Sequence, residues 1–176
     1  ADANLRFVLL TGVTKFSQIS VFSGFNQPND ISMNSKFDAI CGITEEELHS
    51  CFAEPILEMA DRMECTEDEV KEMLKKQYDG YHFSQKMLDI YNPFSLINAF
   101  NSMDIDNYWY RSGTPTYLVK LLEGHSVNMQ KLTSKAYESQ YFVDYRADSE
   151  DPLAMLYQSG YLTIKGYDKR YKEYTL

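Results

Sequence analysis

Only three cysteines occur in the 176 residues, Cys41, Cys51 and Cys65, and none of the gaps between them has a CxxC spacing. A structural zinc site needs closely spaced thiolates or a histidine pair beside them, so zinc-ribbon and zinc-finger chemistry is excluded from the expectations. His49, His82 and His125 stand singly; a lone histidine reads as a packed or surface side chain, and no metal is expected. Long apolar runs are missing too. None approaches the roughly 20 residues that cross a bilayer, and no basic segment leads into an apolar one as in a leader, so the expected location is cytoplasmic with no membrane partner. Positive charge is in short supply, with 17 Lys and Arg against 26 Asp and Glu and a formal net charge of -9. A surface of that sign has no general field with which to displace counterions from phosphates, so nucleic acid is not an expected partner. The phosphate loop, GxxxxGK followed by Ser or Thr, is also absent.

What is present suits a globular chain. At 44% hydrophobic and 14% aromatic residues, the sequence can bury a core as one domain or as two small ones. RFVLL, Arg6 to Leu10, is apolar at every position but the first, which predicts a strand buried on both faces of a parallel sheet. It runs into Thr11, Gly12, Thr14, Lys15 and Ser17, the polar ending of a strand that delivers side chains to a phosphate. VFSGFNQPNDIS then reads as loop.

A helical zone follows. Thr44 with Glu47 and Thr66 with Glu69 each spell T-x-x-E, in which hydroxyl and carboxylate satisfy each other's backbone amides, so two helices are predicted to start there. Leu48, Phe52, Ile56 and Met59 fall on one face of the first, which Pro55 must kink or restart. Val70, Met73, Leu74 and Tyr78 stripe the second, which ends at Asp79-Gly80. Asn92-Pro93, Thr114-Pro115 and Asp151-Pro152 each place a capping residue before a first-position proline and predict three further short helices. In YDGYHFS, Asp79 and His82 admit an acid-base reading. The structural reading is preferred: a turn at Asp79-Gly80, Tyr81 and Phe83 in the core, and His82 and Ser84 facing elsewhere. Trp109 with Tyr108 and Tyr110 could offer a base-stacking platform, but an aromatic core cluster suits the scarcity of basic neighbours better.

At the C-terminal end, Leu153, Leu156 and Tyr157 supply a helix face, Gly160 can stop the helix, and YLTIK and YKEYT flank the turn GYDKR. A helix followed by a hairpin is how a winged helix ends. Lys169 and Arg170, with Lys165 and Lys172, make a nucleic-acid contact by the wing one reading, and a solvated hairpin tip the other, which the acidic balance favours.

LRFVLLTGVTKFSQISVFSGFNQPNDIS, AICGITEEEL, YDGYHFS, YNPFSLINAF, YWYRSGTPTYLVKLL and LYQSGYLTIKGYD, taken in order, resemble consecutive signature segments of the AAA-ATPase-like family. That family is similar to STAND-type and archaeal P-loop ATPases and often carries a nuclease-like domain of the PD-(D/E)XK kind. The resemblance implies an α+β, mostly helical chain: a remnant of a P-loop α/β core with its late sensor strand over residues 1–40, a helical lid over 41–125, and a winged-helix-like region ending in a hairpin over 126–176. It implies nucleotide sensing by Thr11, Thr14 and Lys15 at that strand end. The competing reading has Thr11 and Ser17 capping a turn and Lys15 solvated. With no phosphate loop, no acidic strand before Arg6 and no room for a nuclease domain after the hairpin, the chain resembles the middle of a longer protein. ATP and magnesium are then cofactors of the complete protein, with none expected for this chain alone. The expected partners are the remaining parts of that protein, another protein, or a second copy. The alternative function is a non-catalytic interaction or scaffold module.

Overall fold

The structure, a computed structural model, describes residues 6–12, 29–112, 129–144 and 152–176. Its fold is α+β, with helices far outweighing strands among the described residues. The chain divides into two units, Met33–Leu121 and a second made of Ala1–Ser32 with Leu122–Leu176.

The first unit is built on locally encoded helices. α1 (Glu45–Cys51) and α3 (Glu67–Tyr78) both start at complete capping boxes. At each, the threonine hydroxyl accepts the N–H three residues on, and the glutamate carboxylate accepts the threonine N–H at 2.9 Å for Thr44 and 2.8 Å for Thr66. Phe52, at φ -119°, separates α1 from α2 (Ala53–Met63). Pro55 therefore sits in a first turn, where helix N–H groups lack an intrahelical partner anyway, and it restarts the helix rather than kinking it. α3 stops at Asp79, and Gly80 follows at φ 97°, a left-handed conformation that a Cβ would strain. α4 (Pro93–Ser102) is capped by Asn92, whose Oδ1 accepts the Ser95 N–H at 2.9 Å. A short α5 (Tyr108–Ser112) completes the unit's described helices.

These helices bury one shared core of Leu48, Ile56, Met59, Val70, Leu74, Tyr78, Tyr91, Leu96 and Phe100, with Phe52 stacked on Phe100 at 5.2 Å between ring centres. Tyr108 packs against it while Tyr110 is exposed. The expected aromatic cluster is thus split, because two positions on a helix are about 200° apart. Between α3 and α4 the chain doubles back through the isolated bridge of Tyr81 to Ile90, and a second bridge joins Tyr91 to Ile43, just before α1. Gly42 is required there, since a Cβ would lie 1.7 Å from the Ile90 side chain.

The C-terminal unit contains α6 (Met129–Thr133), β1 (Ala136–Tyr137), α7 (Gln140–Val143), α8 (Leu153–Gln158), β2 (Gly166–Asp168) and β3 (Glu173–Thr175). Its sheet is antiparallel in the order β1-β3-β2. Phe142, fully buried, meets the rings of Tyr157 at 4.7 Å and Tyr174 at 5.5 Å, both edge-on, and so joins α7, α8 and β3.

Several expectations need correction. The first arm of the hairpin is Gly166–Asp168, not YLTIK. Leu162 and Ile164 are instead buried, and the register Gly166 to Thr175 and Asp168 to Glu173 confines the turn to Lys169–Lys172. Pro152 lies at the N-cap of α8 rather than inside its first turn, because its carbonyl accepts the Leu156 N–H at 2.9 Å. Arg6 to Gly12 form no strand, and Phe7 to Leu10 are exposed, Phe7 by 79%. A central strand requires neighbours on both sides, and no described residue pairs with this one. Thr114-Pro115, Asp151 and His125 lie outside the described residues. No helix among the described residues is long and apolar enough to cross a membrane.

Candidate functional site

Of the four buried polar side chains among the described residues, Asp38, His82, Ser84 and Ser95, two lie in the segment from Asp79 to Tyr91 and a third, Asp38, is bonded to it. Tyr81 and Phe83 contact each other at 4.9 Å and are half-buried, whereas His82 is 7% exposed and Ser84 1%. This reverses the sequence expectation that the aromatic pair would be the buried one. The antiparallel bridge between Tyr81 and Ile90 sets His82 opposite Asp89, and His82 Nε2 lies 2.6 Å from Asp89 Oδ1. Ser84 Oγ donates to Asp38 Oδ2 at 2.8 Å and accepts the Lys86 N–H at 3.1 Å. Asp38 is 5% exposed, and its Oδ1 is buried without a hydrogen-bond partner.

The chemistry of this arrangement is that of a latch. Nucleophilic catalysis needs a hydroxyl whose proton is aimed at a base such as imidazole. Here the Ser84 proton is directed to Asp38, and His82 is held by Asp89 rather than by Asp79. The Ser84–Asp38 bond ties two segments 46 residues apart. Around it the electrostatics are acidic. Burial, then the charge of Asp89 and Glu45, raises the Asp79 carboxyl above its ordinary range against the Gly80 N–H and Lys75. Burial likewise pushes up the phenols of Tyr81 and Tyr91. Lys75, 3.0 Å from Glu45, is raised by that carboxylate. Among the described residues no group of three His, Cys, Asp or Glu side chains could hold a metal ion.

A concave feature lies apart from this latch, at the corner between α2 and α3. This open groove, of about 600 Å³, is lined by Met63, Cys65 and Met73 together with the acidic residues Asp68, Glu69 and Glu72. The three apolar side chains also pack on the core, so the groove is shaped by the same contacts that hold the helices together.

The residues singled out from sequence fare differently. Thr11 is exposed in a segment that pairs with no described residue, and Thr14 and Lys15 lie outside the described residues. Lys169 and Arg170 are brought together at the exposed tip of the β2–β3 hairpin. Asp168 Oδ1 accepts the N–H groups of Arg170 at 2.7 Å and Tyr171 at 3.2 Å, and the Arg170 guanidinium sits 5.5 Å from the centre of the Tyr171 ring. Sequence reasoning missed the Ser84–Asp38 pair. The alternation in YHFS showed that two faces exist, but only the distant Asp38 decides which face turns inward.

No protein-family model matches the chain, and no solved structure matches it. A curated protein of Azotobacter chroococcum mcd 1, described as an uncharacterized protein in the vnfD 5' region, is 36% identical over 164 residues. The match takes in 93% of this chain and 30% of that protein, so the chain spans under a third of the length of the curated relative.

Proposed function

We propose that this chain is the distal part of an AAA-ATPase-like, nucleotide-dependent switch or ATPase, contributing a sensor segment, a helical lid and a winged helix. The observation that supports this reading is the C-terminal sheet, in which a short strand between helices pairs with the last strand of a terminal hairpin in the order β1-β3-β2. Helix, strand, two helices and a hairpin, closed in that order, is the plan of a winged helix. Met33–Leu121, with five described helices over one core, supplies the lid.

The described residues do not by themselves fit ATP and magnesium. Thr11 is exposed in a segment that pairs with no described residue, and the described residues offer no three-ligand metal group. In this reading both are bound by parts of a longer polypeptide. The 176-residue chain alone is then inactive, because charge developing on the transferred phosphoryl group meets no clamp. In the same reading Lys169 and Arg170 mark the wing, and no duplex binding is expected at physiological salt given the acidic balance.

The test is the reading frame through Ala1 and the polypeptide it encodes. A phosphate loop upstream, with magnesium-dependent ATP hydrolysis lost when its lysine is replaced, is the expected result. A frame without such a loop, or hydrolysis by the 176-residue chain that Thr11→Ala abolishes, overturns the proposal. A second reading, a non-catalytic interaction module, is favoured by the charge of residues 33–121, where sixteen acidic side chains face eight basic ones. It predicts protein capture independent of nucleotide.

A further inference from the structure

The groove at the α2–α3 corner and the tip of the β2–β3 hairpin have complementary chemistry. The groove is lined by two methionines and a cysteine together with three acidic residues, Asp68, Glu69 and Glu72. Its surroundings have the same sign: residues 45–72 hold eleven acidic side chains and two basic ones. One of those two, Lys71, lies 3.2 Å from Asp68 and 3.9 Å from Glu67 and offsets only part of that charge. The carboxylate of Glu69 is taken up by its capping box, while Glu72 is exposed.

The tip has the opposite character. Lys169, Arg170 and Lys172 carry three positive charges around Tyr171, a residue that is 63% exposed. The turn is preorganised by the two N–H bonds to Asp168 and by Lys172 at φ 57°. A rigid aromatic anchor with fixed basic neighbours loses little conformational freedom when it docks. Methionine is adaptable in shape and makes favourable sulfur contacts at aromatic edges, and a groove of about 600 Å³ has room for a tyrosine ring.

We infer that the hairpin tip of one copy docks in the α2–α3 groove of a second copy, with Tyr171 over Met63, Cys65 and Met73, and the tip's basic side chains facing Asp68 and Glu72. The contact joins two different surfaces, so repeated from copy to copy it builds open chains or closed rings, a reciprocal pair being the smallest ring. Four tip residues bury far less than a standard interface, so the association is weak and reversible. Because its polar part is solvent-exposed, salt weakens it.

Sedimentation velocity over a concentration series at low and at high salt tests the inference with the 176-residue chain. The expected result is self-association that salt suppresses and that falls about tenfold or more both in Asp68→Lys/Glu72→Lys and in Lys169→Glu/Arg170→Glu. All four positions are exposed, and circular dichroism checks that each variant remains folded. Mixing the two variants restores association, since each reversed groove then meets a reversed tip. Tyr171→Ser weakens it without changing any charge. A wild-type chain that stays monomeric at millimolar concentration overturns the inference, as does association that only one of the two variants affects. A mixture that fails to recover, or an effect of Tyr171→Ser no larger than that of Tyr110→Ser, also overturns it.

Discussion

The Met33–Leu121 unit and the C-terminal unit reach stability by different routes. In the first, α1, α3 and α4 are started by side chains bonded to backbone three residues away, and the packed helices share one core. In the second, strands of two and three residues are held by partners up to 39 residues distant, and one ring, Phe142, bridges two helices and the sheet. Charge divides in the same way: residues 33–121 carry sixteen acids and eight bases, whereas residues 129–176 carry seven of each. A helix with its own caps tolerates the loss of a tertiary contact better than a strand pair that exists only through such contacts.

The largest expected effect breaks that comparison at its weakest point. Phe142→Ala should cost about 3–5 kcal/mol and release amide protection throughout β1, β2 and β3. Leu74→Ala, at a fully buried position in α3, should cost about 2–5 kcal/mol but leave residual helicity around the capping boxes. Hydrogen exchange read segment by segment checks both. Equal loss of protection in the two variants, across both units, would mean that the units unfold as one.

Gly42→Ala comes next. Its Cβ would meet the Ile90 side chain, which is 2% exposed, and Ile90 has little room to move. Overpacking of this kind costs about 1–3 kcal/mol, and Ile90→Ala should recover part of it in a denaturation double-mutant cycle.

Thr66→Ala sharpens the contrast from the local side, at about 1 kcal/mol, and Thr44→Ala should match it. The Glu69 carboxyl is held below its ordinary 4.5 by the Thr66 N–H and then by its hydroxyl. A carboxyl lowered in the folded state stabilises above its unfolded value, and that contribution is lost as pH falls through the folded one. The difference between Thr66→Ala and the parent, followed by chemical denaturation, should therefore be largest near neutral pH and shrink in acid. It should not vanish, since the threonine hydroxyl also accepts the Glu69 N–H.

Asp79 gives the smallest effect, of opposite sign. Its carboxyl is raised above 3.8, mainly by burial. The folded state then takes up a proton before the unfolded state as pH falls, so ionised Asp79 destabilises above its folded value and the penalty disappears on acidification. Asp79→Asn should stabilise at pH 7 by less than about 1 kcal/mol, after allowance for solvent screening. The gain should disappear in melts below its ordinary value. A variant less stable than the parent at pH 7 would show that the Asp79 carboxylate holds the α3 end in a way its charge alone does not describe.

The candidate site was only partly legible. His82 and Ser84 stood out as polar positions in an aromatic segment, yet their burial was assigned to the wrong face, because alternation reports that two faces exist and not which one meets the core. Asp38 carried no signal at all, being an acid in a polar turn whose partner lies 46 residues away. The groove on the α2–α3 corner was equally hidden: Met73 reads as core in a helix stripe, and nothing local shows that Met63 and Cys65 come beside it with one side still open.

The sequence by itself determined the helix starts at Thr44, Thr66 and Asn92 and the stop at Asp79-Gly80. Each of these rests on bonds or backbone limits that span no more than four residues, so they are written where they act. Only the tertiary structure decided that Phe7 to Leu10 are exposed rather than buried, that Pro55 sits in a helix's first turn rather than at a kink, that the hairpin pairs from Gly166 and not from Tyr161, and that Ala136–Tyr137 completes its sheet. A strand has no stability without a partner, and the partner's position is a property of the whole packed chain rather than of the strand's own residues.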